Sequence, residues 1–187
     1  MFDWNYYRLF SDNLCLMTLG DNEDSLLREA RVRSIVSRYY YSAYHFSSEY
    51  LRLEHNLPVL LYERYLILNK SPSSRGEAQE FKRRALAEES ESALEQKLKK
   101  SMHTIIQNAL FDKVNDKCGN AYSNLKSYRV EADYNQTPTF PNNKAILAFA
   151  ELKKLITELK EEGYGKAETL LSSLPAALKI AVPGDAS

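Results

Sequence analysis

Two segments of this chain carry side chains suited to proton transfer and to holding an oxyanion: Arg38-Tyr-Tyr-Tyr-Ser-Ala-Tyr-His45 and Tyr128-Arg-Val-Glu-Ala-Asp-Tyr134. A histidine accepts or returns a proton near neutral pH, and a guanidinium grips developing negative charge through paired hydrogen bonds. Arg38 and His45 stand seven apart, which on a helix is two turns less about 20°. They therefore project from nearly the same face, with Ser42 between them and Glu49 one turn beyond. The pair reads either as catalytic or as a polar pair that fixes helix packing, with Glu49 or Asp133 as counter-charge. Arg129 and Asp133, four apart, can pair in place. Alternatively, Arg129 converges with Arg38 to grip a phosphate.

Helices must position these residues, because strand-like alternation is nowhere sustained. Trp4 to Leu19 reads as a first helix ending near Gly20, with Asp21, Asn22 or Asp24 capping the next one. That second helix runs to about His55 and buries Val32, Val36, Tyr40, Ala43 and Tyr50, leaving Arg38, Ser42, His45 and Glu49 as a polar stripe. Pro58 starts a short apolar piece to Leu68, Asn69 to Gly76 reads as a loop, and Glu77 to Lys100 as a solvated, charged helix or mobile insertion. Core helices are expected from Ser101, resuming after Gly119 and ending before Pro138. Another follows from Ala145 to Leu159, then a short helix and a fraying tail from Gly163.

The 187 residues fit one domain, and 25 basic against 25 acidic residues leave no global field toward nucleic acid or membrane. Any RNA contact must come from a local patch. The Lys97, Lys99, Lys100 and Arg83, Arg84 groups are diluted by glutamates and read as a solvated face. His55 and His103 read as structural or solvated. Thirteen tyrosines predict a core with many polar tips. Cys15 and Cys118 lack zinc-site spacing and read as buried thiols. Without a signal-like start or a membrane-length apolar run, a soluble cytoplasmic protein with no metal or cofactor is expected.

At Arg38, Tyr40, Tyr41 and His45, and again at Leu125, Arg129, Ala132, Asp133 and Tyr134, the chain resembles the HEPN superfamily of small all-α domains. The resemblance covers roughly 24–55 and 101–160. It implies a four-to-five-helix bundle, which with the helical pattern read above gives an all-α, antiparallel bundle over 1–162, with 69–100 as a charged helical insertion and 163–187 as an extension. It also implies homodimerisation, RNA as substrate or ligand, and control by a protein partner or antitoxin in a toxin-like or defence setting. Many members cleave RNA without metal through an Arg-x4–6-His motif. On that basis the candidate catalytic residues are Arg38, His45 and Arg129, and the candidate binding residues Tyr41, Glu49, Asp133 and Tyr134. The departure is that toxin-like members carry the histidine on the later helix, where this chain has Asp133 and Tyr134. A catalytically inactive dimerisation or docking module is the alternative, and a nucleotide or small-molecule sensor a third reading.

Overall fold

The computed structural model describes residues 25–134, 140–141, 143–172 and 174. The expected first helix, its cap residues, Cys15, the Pro138 break and the tail from Pro175 lie outside the described residues. Within them are eight α-helices and no strand: α1 (Ser25–Leu53), α2 (Pro58–Leu68), α3 (Arg75–Glu88), α4 (Glu91–Leu98), α5 (Met102–Lys113), α6 (Asp116–Tyr134), α7 (Asn143–Glu161) and α8 (Ala167–Ser172).

Four of them, α1, α5, α6 and α7, form the bundle, with α8 folded back on α7. Cross-helix pairs fix their directions. Arg33 reaches Ala132 while Tyr40 meets Tyr122, so α1 and α6 are antiparallel. Tyr39 packs on Phe149 and Tyr50 reaches Glu162, so α1 and α7 run parallel. Lys126 bonds Thr104, and Gln107 bonds Ser123, which makes α5 antiparallel to α6 and hence parallel to α1. Two parallel neighbours need a return connection. The α2 to α4 layer supplies it.

That layer is more ordered than a solvated insertion. Ala78, Ala85 and Leu94 are fully buried, α2 packs on both α3 and α4, and the charged run splits in two at Ser90, whose hydroxyl caps Ala93. Tyr62 donates to Glu91 (2.9 Å), which also pairs with Lys82 (2.7 Å). The predicted Asn69 to Gly76 loop is shorter than expected, because a 3-10 turn at Pro72–Ser74 leads directly into α3. Gly119, expected between helices, sits inside α6 where a Cβ would collide with the Phe111 ring. The break falls instead at Asn115, whose side chain caps Cys118 N (2.8 Å).

The buried positions expected on α1 are all buried, and so are Ile35, Tyr39, Phe46 and Leu51. Burial thus wraps much further round α1 than a two-faced helix allows. Ser42, read as part of the polar stripe, is fully buried with its hydroxyl donating to the Arg38 carbonyl (3.0 Å). Tyrosine tips are partnered as expected: Tyr40 with Tyr122 (3.4 Å), Tyr164 with Glu49 (3.2 Å). Cys118 is buried, and burial followed by Glu158 and Glu162 pushes its thiol up to about 12, which leaves it unreactive.

Candidate functional site

The two motif segments meet along the α1–α6 seam. From α1, Ser37 donates its hydroxyl to Asp133, and the Tyr41 hydroxyl accepts from Arg129 (3.1 Å) across 88 residues of chain. Register along this seam is fixed by Arg33, which the sequence did not single out. Its guanidinium donates to the carbonyls of Glu131 (3.1 Å) and Ala132 (2.8 Å), satisfying orphan acceptors in the last turn of α6 with a cation where the helix dipole favours one. The same guanidinium lies over Phe140, 4.5 Å from the ring centre.

Arg129 occupies an aromatic cage. Its guanidinium is 5.1 Å from the Tyr134 ring centre, 5.6 Å from Tyr41 and 5.9 Å from Tyr40. Nε stands 2.6 Å from Asp133 Oδ2, an ion pair bent away from hydrogen-bond alignment. Burial opposes its charge, but Asp133, Tyr41 and Tyr134 outweigh that and hold the guanidinium above its ordinary range. Side-chain exposures of 18% for Arg129 and 27% for Asp133 leave the pair reachable from solvent. Tyr134, at 67%, forms an open rim.

Arg38 and His45 lie about 40–60° round α1 from Tyr41, beside the seam. Arg38 Nε reaches Ser34 one turn back (3.3 Å). His45 meets the Tyr44 ring edge-on at 4.9 Å, and burial, then the nearby His103, lower its pKa to about 4. It is neutral at pH 7, a base rather than an acid. Glu49 belongs to another neighbourhood: its carboxylate pairs with Lys166 (2.6 Å) and accepts from Tyr164. It ties α1 to the approach of α8, and Asp133 is already engaged by Ser37 and Arg129.

The histidine that joins the cage is His103 on α5. Its ring packs 4.7 Å from Tyr44, 5.4 Å from Tyr40 and 6.5 Å from Tyr41, and its Nδ1 is buried without a hydrogen-bond partner. Burial, then Arg129 and Lys126, lower its pKa. Nothing in the spacing around His103 signals this, since the cage comes from three helices. His55, by contrast, meets the Tyr50 ring edge-on at 5.2 Å and shares a hydrogen bond with its hydroxyl (3.3 Å).

Among the described residues no cluster of His, Cys, Asp and Glu could hold a metal, and no helix is long and apolar enough to cross a membrane. The fold and seam define an all-α helical bundle carrying a caged arginine. No family model, curated protein or solved structure matches this chain.

Proposed function

We propose that the chain is a HEPN-type domain that engages RNA at the α1–α6 seam and cleaves it without metal, in a toxin-like or defence-associated role held in check by a protein partner. The observation that supports this reading most is the meeting of Arg129, Asp133 and Tyr134 with Ser37, Tyr40 and Tyr41, two motif segments that only folding brings together. In such a reaction the ribose 2′-oxygen attacks phosphorus, a base takes its proton, the P–O5′ bond breaks, and an acid protonates the departing oxygen. Neutral His45 is free to take that proton, although its lowered pKa makes it a weaker base than an ordinary histidine. Arg129, exchanging its Asp133 partner for phosphate oxygens, holds the charge of the pentacoordinate state. Arg38 adds a second cation on the same side, and homodimerisation gives two such seams.

The test is cleavage of a single-stranded RNA panel by the purified chain, with His45→Ala and Arg129→Ala. A loss of 100-fold or more in either, with helicity intact, supports the site; unchanged rates in both remove it.

One observation favours the second reading, a catalytically silent docking module. Arg129 is already matched by Asp133 and Tyr41, as a structural clamp would be, and exposed Val130, Tyr134, Ile146 and Leu147 surround that end of the bundle. No cleavage across the panel, together with a stable dimer, decides for it.

A further inference from the structure

At the far end of α1 from the Arg129 cage, arginines from two helices meet at one ring and a third arginine lies near enough to Arg52 to act on its charge. Arg52, in the last turn of α1, sets its guanidinium 5.4 Å from the centre of Phe81 of α3, and Arg84 of α3 sits 5.9 Å from the same centre. Arg64 of α2 lies near enough to Arg52 to lower its pKa. The Nε of Arg64 is buried and, among the described residues, has no hydrogen-bond partner. Arg84 donates to the side-chain oxygen of Asn56, a residue in the left-handed region (φ 49°) that turns the chain from α1 into α2. Asparagine tolerates that conformation, and here it also aims a guanidinium.

Charge balance is what sets this cluster apart. Among the described residues, none of the three guanidiniums has a carboxylate within ion-pairing distance. Glu49, one turn before Arg52, is committed to Lys166 and Tyr164. Burial and then Arg64 lower the Arg52 pKa, Glu49 and Tyr164 oppose them, and Arg84 lowers it again, so Arg52 feels both other cations. Packing alone does not account for three half-buried like charges, whose mutual repulsion costs stability. An oxyanion would relieve it, and guanidiniums match phosphate geometry through paired N–H donors.

We propose that Arg52, Arg64 and Arg84 form a binding site for a phosphate group, presented by a small phosphate ester or by a nucleic-acid backbone. The site is separate from the α1–α6 seam and stands whether or not the seam cleaves RNA. Phe81 is the platform shared by Arg52 and Arg84, and Asn56 orients Arg84.

The experiment is calorimetric titration of the full chain, at low and at physiological salt, with inorganic phosphate, a 5′-mononucleotide and a 12-nucleotide single-stranded RNA. Binding of at least one probe is expected, weakened tenfold or more in Arg64→Gln and in the Arg52→Gln, Arg84→Gln double variant. Arg83→Gln, which removes an exposed arginine paired with Glu80, should leave it unchanged. Saturation by phosphate or mononucleotide assigns a small ligand; binding by RNA alone, with a steep salt dependence, assigns a backbone phosphate. Relief of repulsion should leave the melting temperature of Arg64→Gln at or above that of the parent. Absence of binding by all three probes overturns the proposal, as does equal weakening in Arg83→Gln. So does undiminished binding in folded Arg64→Gln and double variants.

Discussion

The two arginine clusters reached by α1 both set guanidiniums against aromatic rings and differ in how their charge is matched. Around Arg129 a guanidinium is ringed by tyrosines and matched by Asp133, which Ser37 holds in turn. Around Phe81 two guanidiniums share a ring with a third nearby, and the hydrogen-bonding partner of Arg84 is a neutral amide. A matched guanidinium satisfies its own desolvation and clamps two helices; an unmatched group of them stores repulsion that a bound anion can release. The first arrangement is therefore stabilising without a ligand. The second is stabilised by one.

Breaking the aromatic floor of the matched cluster should have the largest effect. Tyr122 is fully buried beneath Tyr40 and hydrogen-bonded to it, so Tyr122→Ala is expected to cost about 3–5 kcal/mol, read as a fall in the urea midpoint. The cage would loosen with it. A smaller change converts one cluster into the other: Asp133→Asn leaves Arg129 unmatched and should cost about 1–3 kcal/mol. The same variant should gain phosphate affinity at the seam, detectable by calorimetry as a site insensitive to Arg64→Gln. If Asp133→Asn unfolds at the parent's midpoint, the clamp is not stabilising and the comparison fails.

The smallest effect is that of pH. His45 and His103 both have folded pKa values below the ordinary histidine range, through burial first and neighbouring positive charge second. The unfolded chain therefore binds more protons, so this contribution is fully present above about pH 6.5 and is lost as pH falls toward 4. Allowing for partial solvent exposure, the loss between pH 7.5 and pH 5 from His45 is about 1 kcal/mol. Denaturant titrations at the two pH values check it, and His45→Gln should flatten the difference.

Helical periodicity made most element boundaries legible. Pro58, the polar run before α3 and the apolar pattern of α7 each mark breaks or faces that local physics enforces. The Arg129–Asp133 pair was legible for the same reason, because four residues on a helix meet by construction. Gly119 misled because a glycine that ends a helix and one that admits a neighbouring ring look alike in sequence; only the nearness of Phe111 separates them. Ser42 misled because spacing places a side chain round a helix but does not say how many neighbours surround that helix.

By itself, then, the sequence determined what each helix is and which residues within a turn or two can touch. It set the tyrosine-rich core and the local ion pairs, since both follow from composition and a fixed helical pitch. The tertiary structure decided which helices adjoin, and with that the fate of every long-range group. It brought His103 to the Arg129 cage and sent Glu49 to Lys166. It also drew Arg52 and Arg84 together on Phe81, with Arg64 near Arg52. Their neighbourhood depends on the return layer that lets α1 and α5 run parallel, and packing between distant segments, not spacing along the chain, sets that topology.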